Sequence, residues 1–198
     1  MKKKTFALAL MAIYVAVLVG GSLAYFTAED RAVNVITIGK VDIEIEEYAD
    51  LEKTIKIEEG KMPASFYNVE PGQRIVKKVE IDNRGLSPAW IRAKIEDRIV
   101  SAGGGNLSDE ILRYDIQPGW DWDAATGYYY YDKILYPGDI VTLFNVVTFD
   151  GPGMGNAYQG CTTYIQIHAD AVQSEGIGAD TCVEAYEKLN EVSQGGAD

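Results

Sequence analysis

Histidine is almost missing from this sequence, which contains a single one, His168. A chain with one histidine cannot carry the His-Glu-x-x-His zinc-protease motif, because that motif needs two histidines on one helix face. Ile165, Ile167 and Ala169 alternate with His168 and its polar neighbours, so we expect His168 on the polar face of a strand. A single histidine in such a position is usually a surface residue rather than a metal ligand.

Cysteine is also scarce, with Cys161 and Cys182 as the only two residues of this type. They do not form the close pair that cysteine-based zinc sites use. Outside the cytoplasm they are a candidate disulfide. The equal alternative is two separate thiols, one in a strand and one in a helix. Both remain open, because a sequence does not give the Cα separation that a disulfide requires.

Motifs for nucleophilic and phosphate chemistry are missing too. No Gly-x-Ser-x-Gly elbow occurs, and Cys161 would need His168 from a neighbouring strand to act as a nucleophile. The glycine run at Gly103–Gly105 is not followed by Lys and Ser or Thr, so it is not a phosphate-binding loop. We therefore assign no catalytic residue from the sequence.

Basic residues are outnumbered: 18 Lys and Arg stand against 30 Asp and Glu, for a formal charge of −12. No basic patch with interleaved aromatic residues is present, which excludes nucleic-acid binding. Two acidic groups are candidates for binding Ca²⁺, namely the cluster Glu44, Glu46 and Glu47 and the pair Asp121 and Asp123. The favoured interpretation is simpler, a solvated strand face and a solvated loop that bind no metal or other cofactor.

The N-terminus has the three parts of a signal peptide. A basic start at Lys2–Lys4 precedes the apolar run Phe6–Val19, and the small residues Ser22 and Ala24 fit a cut before Tyr25. An uncleaved membrane anchor is the alternative, but the run is shorter than the roughly 18 residues that a spanning helix needs. Removal of residues 1–24 with their three lysines takes the formal charge from −12 to −15. We therefore expect a secreted or cell-surface protein.

Short alternating stretches predict strands along most of the remaining chain. Val41, Ile43 and Ile45 alternate with acidic residues, as in a strand with one buried face. Further strands are predicted at Ile75–Ile81, Ala89–Ile99, Ile111–Ile116, Tyr128–Leu135, Ile140–Phe149 and Thr163–Val172. Pro-Gly pairs and a glycine run separate them, which is turn chemistry. The pattern predicts an all-β fold, an antiparallel β-sandwich over residues 39–192.

One helix is predicted near the C-terminus. Thr181 and Glu184 have the spacing of a capping box, in which each residue satisfies a backbone N–H of the first turn. A helical stripe follows, formed by Cys182, Ala185, Tyr186 and Leu189. The polar residues 193–198 are expected to form a flexible tail.

Aromatic residues crowd into one short region. Trp120 and Trp122 precede the run Tyr128–Tyr131. In a strand, alternate tyrosines face opposite ways, so one pair can fill the core while the other is half exposed. Trp120, Trp122, Tyr129 and Tyr131 are therefore candidates for a surface contact with protein or carbohydrate, with a cross-strand aromatic ladder as the simpler alternative.

Several segments together resemble the TasA/camelysin family of secreted proteins. Residues 21–27 resemble the cleavage region read by a SipW-type signal peptidase, and residues 34–43 resemble the segment that follows it in the family. The other matching segments, in the family's order, are residues 69–72, 82–85 with 89–92, 127–131 with 135–138, and 169–173. Each is short, but the ordered set spans nearly the whole chain after residue 24.

The resemblance implies a jelly-roll-like sandwich that assembles into extracellular fibres of a biofilm matrix. In that family the N-terminal strand of one subunit completes the sheet of its neighbour, and residues 25–38 are the matching segment. Its apolar members here are Tyr25, Phe26, Val33, Val35, Ile36 and Ile38. The alternative is that this strand folds back into its own sheet.

The expected partners follow from the same resemblance. They are copies of the chain itself, the SipW-type signal peptidase, and an accessory anchoring protein or exopolysaccharide, with membrane contact only through the uncleaved signal. The family also includes camelysin, a metal-dependent endopeptidase, but this chain has no zinc motif that would transfer that activity. A monomeric surface adhesin that uses the aromatic residues is the third alternative.

Overall fold

The structure is a computed structural model, and it describes residues 27–31, 34–36, 41–58 and 70–195, with backbone only for 27–31, 34–36 and 192–195. The predicted signal residues Ser22 and Ala24 lie outside the described residues. The same holds for Tyr25, Phe26, Val33 and Ile38 of the predicted assembly strand. No helix within the described ranges is both long enough and apolar enough to cross a membrane.

The described residues form strands and one α-helix. The strands are β1 (Thr27–Arg31), β2 (Asn34–Ile36), β3 (Ile43–Tyr48), β4 (Arg74–Asn83), β5 (Ala89–Val100), β6 (Asn106–Leu107), β7 (Leu112–Tyr114), β8 (Trp120–Asp123), β9 (Tyr128–Tyr131), β10 (Ile140–Phe149) and β11 (Thr162–Gln173). A turn of 3-10 helix spans Asn156–Tyr158, and the helix α1 spans Cys182–Gly195.

The strands pair into two antiparallel sheets. The first sheet has the order β2-β1-β11-β5-β9-β8, with β6 also paired to β5, and the second has the order β3-β4-β10-β7. From β4 onward the chain crosses repeatedly from one sheet to the other. The order β1-β11-β5-β9 facing β4-β10-β7 is that of a jelly roll. The predicted all-β sandwich with a short C-terminal helix is confirmed.

The core lies between the two sheets and follows directly from the alternation of the strands. On β5, Ile91, Ala93 and Ile99 point inward, and Ile81 and Leu143 meet them from the second sheet, all of them fully buried. Because side chains alternate between faces, the same pattern sends every second residue of β5 and β11 to the outer face. That outer face therefore needs its own cover.

Helix α1 provides this cover on the outer face of the first sheet. Trp90, Val172, Cys182 and Tyr186 belong to a second apolar cluster there. The helix begins as predicted, since the Glu184 N–H donates to Thr181 Oγ1 at 3.2 Å. It continues to Gly195, so the predicted start of a flexible tail at residue 193 is wrong.

A buried ion pair lies inside this second cluster. Arg92 Nε and Nη2 donate to Asp170 Oδ2 at 2.8 and 2.7 Å. The guanidinium group lies between the rings of Tyr128 and Tyr186, at 4.0 and 4.1 Å from their centroids. Burial opposes the charge of Arg92, but Tyr186 and Asp170 raise its pKa above the ordinary value. Arg92 thus joins β5, β11, β9 and α1.

Two predicted strands extend well beyond the observed ones. β9 ends at Tyr131 rather than at Leu135, because the chain bends at residues 132–133 and Leu135 then forms a separate bridge with Ala89. β7 spans only Leu112–Tyr114 of the predicted Ile111–Ile116. The prediction for β10, Ile140–Phe149, agrees with the structure at both ends.

The candidate disulfide between Cys161 and Cys182 is contradicted by the structure, in which both cysteines are free. Cys161 precedes Thr162, which pairs with Val100, whereas Cys182 Sγ donates to Ile91 O at 3.1 Å. Nine residues of β5 separate those points, which at about 3.3 Å per residue is roughly 30 Å. A disulfide needs Cα atoms about 4.4–6.8 Å apart.

We predict that the two thiols react very differently with maleimide. Cys161 is partly exposed and should be labelled in the folded protein. Burial raises the pKa of Cys182 to about 12, so its thiol should react only after unfolding. Intact-mass spectrometry before and after denaturation measures both. A non-reducing sample with no reactive thiol in denaturant would contradict the free cysteines.

We predict that Arg92→Ala lowers the free energy of unfolding by about 3–5 kcal/mol, because it leaves the Asp170 carboxylate buried without its partner. Arg98→Ala is the matched control, since Arg98 lies on the same strand and also stacks on a tyrosine, Tyr164, but is exposed. It should change the free energy by less than about 1 kcal/mol. Urea unfolding followed by circular dichroism makes the comparison, and equal losses would argue against a special role for Arg92.

Candidate functional site

The N-terminal strand is built into the chain's own first sheet. β1 pairs antiparallel with β11, with Thr27 opposite Val172, Ala28 opposite Ala171 and Arg31 opposite His168. β2 then pairs with β1, with Glu29 opposite Ile36. Of the predicted assembly strand, Val35 and Ile36 therefore lie in β2, at the edge of the sheet, while residues 27–31 contact β11 directly. This arrangement corresponds to the alternative prediction, in which the N-terminal strand folds back into the sheet of its own chain.

β11 is covered unequally on its two sides. β5 pairs with the whole strand, Thr162–Gln173, whereas β1 pairs only with His168 to Val172. On the β1 side, residues Thr162 to Ile167 have no pairing partner among the described residues. We name this stretch the open half-edge. Unpaired backbone N–H and C=O groups on a sheet edge are a template for an additional strand.

The open half-edge leads into the space between the sheets. Ile165 on β11 and Ile45 on β3 are only partly buried, although both pack against the core. On the inner face of β4 the apolar pattern is interrupted by Lys77, whose Nζ donates to Glu47 Oε2 at 2.5 Å. Lys77 is 6% exposed and Glu47 lies on β3. This side of the sandwich thus offers a free backbone edge beside mixed apolar and charged side chains.

The acidic cluster of β3 is neutralised by neighbouring cations. Lys56 Nζ is 2.9 Å from Glu46 Oε1, and Arg84 contacts both Glu44 and Glu46. The hydrogen bond from Lys56 lowers the pKa of Glu46 below its usual value, against the effect of its partial burial. Within residues 41–58 and 70–195, no group of three or more His, Cys, Asp and Glu residues is arranged to hold a metal ion.

In the second candidate pair for Ca²⁺, Asp121 and Asp123, the carboxylate of Asp123 has a structural role. Asp123 Oδ1 accepts a hydrogen bond from the Ala125 N–H at 2.8 Å, and Asp123 Oδ2 accepts one from Thr126 Oγ1 at 3.0 Å. Asp123 therefore shapes the turn between β8 and β9. Asp121, its partner in the prediction, is exposed on the same strand.

The aromatic residues divide between core and surface. Trp120 is only 7% exposed and its Nε1 donates to Thr142 O at 2.9 Å, so its predicted role in a surface contact is wrong. It is buried because β10 of the second sheet covers that end of β8. Trp122, two residues further and beyond that cover, is 55% exposed. Tyr129 and Tyr131 are half-buried and pack against the core.

His168 lies on the outer face of the first sheet, as the alternation predicted. Its Nε2 is 3.2 Å from Glu96 Oε2. Cys161 lies just before the start of the same strand, seven residues from His168, so the two residues do not form a nucleophile and base. Glu96 also forms an ion pair with Lys94, whose Nζ lies 2.7 Å from Glu96 Oε1.

One inward-facing carboxylate was not predicted from the sequence. Asp97 occupies an inward position of β5 in the series Ile95, Asp97 and Ile99, where the alternation calls for an apolar residue. Tyr114 on β7 donates its hydroxyl to Asp97 Oδ1 at 2.6 Å. Burial raises the pKa of Asp97 above its ordinary value, although the hydrogen bond from Tyr114 opposes the shift. The sequence did contain a signal for this residue, because Asp97 stands at a position of the alternating pattern that is otherwise occupied by apolar residues.

Comparison with known proteins adds nothing to this geometry. No protein-family model matches the chain, and no curated protein or solved structure matches it.

We predict that Asp97→Asn stabilises the fold at pH 7. The raised pKa means that the folded state favours the protonated carboxyl, so the wild type gains stability as the pH falls through that pKa. Asparagine keeps an acceptor for Tyr114 and removes the charge. The difference between variant and wild type should shrink on acidification and vanish below the unfolded pKa of about 3.9. Thermal unfolding between pH 3 and 7 measures it.

The exposed Asp121→Asn serves as the control and should stay within about 0.5 kcal/mol of the wild type at every pH. A lower melting temperature for Asp97→Asn at pH 7 would show that Asp97 stabilises the fold as a carboxylate.

Proposed function

We propose that this chain is an exported structural subunit that assembles into extracellular fibres by donating its N-terminal strand to a neighbouring copy. The observation that carries the proposal is the pairing at β11: a short N-terminal strand covers five of its twelve residues, and the open half-edge lies beside it. A short strand near the edge of a sheet can be exchanged between copies, because the same backbone hydrogen bonds form whether the strand comes from the same chain or from a neighbour.

The geometry of donation favours a fibre over a closed dimer. The donated strand is N-terminal, and the acceptor β11 is the last strand of the sandwich. A head-to-tail contact between two different surfaces grows into a filament when its rotation does not close. Each added strand satisfies backbone groups of the edge and buries alternate side chains. The resemblance to the TasA/camelysin family supports the same function, with export through a SipW-type signal peptidase.

The acidic composition disfavours anionic partners. A formal charge of −15 after removal of residues 1–24 repels nucleic acid. An accessory anchoring protein or an exopolysaccharide remains a proposed additional partner. No observation among the described residues favours the metal-dependent endopeptidase alternative.

We predict that a cysteine pair at Ala28 and Ala171 will report whose strand occupies β11. These residues are directly opposite in the register, where Cα atoms are about 4.5–5.5 Å apart, a distance that a disulfide can bridge. In the variant Ala28→Cys/Ala171→Cys, with Cys161→Ser to remove the accessible native thiol, oxidised fibres should give a ladder of covalent multimers on non-reducing gels. Oxidation of the monomer before assembly should instead trap each strand in its own sheet and block fibres until reduction.

The control is the chain that begins at Gly39, compared with the chain that begins at Tyr25 by negative-stain electron microscopy. The longer chain should form fibres and the shorter one should not. The assembly function fails if both chains remain folded monomers under acid, salt and calcium. Donation fails, even with fibres present, if the cross-linked fibres dissolve into monomers with internal disulfides.

A further inference from the structure

One tryptophan is displayed on a rigid part of the surface. Trp90 and Trp120 are buried, whereas Trp122 is 55% exposed. Its ring contacts the ring of Tyr129, directly opposite on β9, with centroids 4.7 Å apart and planes tilted by 47°. An indole combines a large apolar ring with one polar N–H, which suits it to contact a partner at the surface.

The hairpin that carries Trp122 is fixed at both ends. At the turn, the Gly127 N–H donates to Asp123 O at 2.8 Å, and the φ of +72° at Gly127 suits only glycine. At the base, Trp120 packs on Tyr131 with centroids 5.2 Å apart and is hydrogen bonded to the second sheet. Trp122 and Tyr129 therefore form a preorganised platform, which lowers the entropic cost of binding.

Polar groups flank the platform. Asp97 lies on the same face of β5 as Ala93, the residue opposite Tyr129, and four residues further along the strand. Burial and the charge of Asp97 both raise the pKa of Tyr129. Asp97 Oδ1 is occupied by Tyr114, but Asp97 Oδ2 accepts no hydrogen bond from the part of the chain that the structure describes. On the other side, Lys94 Cε and the tip of the Trp122 ring both lie within 4.0 Å of the point where a Cβ on Gly127 would be.

We propose that the Trp122–Tyr129 platform binds a neutral glycan chain. The C–H face of a sugar ring packs on the exposed indole, and sugar hydroxyls hydrogen bond to the carboxylates nearby, of which Asp97 has a free acceptor oxygen. A purely apolar partner would cover Asp97 Oδ2 without supplying a donor to it, which is unfavourable for a carboxylate oxygen. An anionic partner would meet Asp97, Asp123 and the strongly negative chain as a whole.

A cationic peptide is the rival ligand, since cations also bind aromatic faces beside carboxylates. The glycan is favoured because Lys94, which is ion-paired with Glu96, lies at the rim of the platform. This cation would repel a positive ligand but can donate hydrogen bonds to hydroxyl groups. The proposal is independent of fibre formation, since it uses β8 and β9 rather than β1 and β11.

Isothermal titration of the chain beginning at Tyr25 tests the proposal with four probes: cellohexaose, chitohexaose, maltohexaose and poly-lysine. We expect at least one neutral hexasaccharide to bind, and Trp122→Ala to weaken that binding at least tenfold. Tyr164→Ala is the control, because Tyr164 is an exposed aromatic residue on β11, away from the hairpin, and its loss should leave the affinity unchanged. Circular dichroism verifies that both variants fold.

Three results would overturn the proposal. The first is the absence of binding by all three hexasaccharides at millimolar concentration. The second is glycan binding that survives Trp122→Ala or is lost equally in Tyr164→Ala. The third is binding of poly-lysine alone that depends on Trp122, which would identify a site for cationic protein segments instead.

Discussion

The antiparallel pairing of β5 with β11 is the constraint on which the rest of the molecule depends. The two strands are matched in one unbroken register from Ala89 opposite Gln173 to Val100 opposite Thr162. Because side chains alternate in both strands, this pairing fixes two faces at once. Its inner face forms half of the sandwich core, and its outer face forms the floor under α1.

The two edges of that central pair have different neighbours, and the two proposed functions follow from this difference. On the β11 side lie the short β1, whose position a strand from another copy would take, and the open half-edge next to it. On the β5 side lies the β8–β9 hairpin with Trp122 at the surface. A fibre contact at the first edge leaves the second edge free. Under the two proposals, a subunit would bind another copy at one edge and present the aromatic platform to a glycan at the other.

The elements predicted well from the sequence are those decided by local alternation and by hydrogen bonds near in sequence. β10 was predicted to the residue, and the helix begins where Thr181 caps Glu184. The reciprocal half of the capping box differs, because the Glu184 carboxylate accepts from the Asp180 N–H rather than from Thr181. β9 was predicted too long, since the chain bends after Tyr131 and Leu135 pairs instead with Ala89, a residue distant in sequence.

The sequence by itself determined the strand alternation, the antiparallel sandwich, the single C-terminal helix and the acidic surface, because each depends on the order and type of neighbouring residues. Only the tertiary structure decided which tryptophan is exposed, since Trp120 and Trp122 share one face of β8 and differ only in whether β10 covers them. It likewise separated Cys161 from Cys182 by the length of a strand and placed Asp97 against Tyr114. It also showed that β1 covers less than half of β11. These are distances between segments far apart in the chain, and they are set by how the sheets stack rather than by any local pattern.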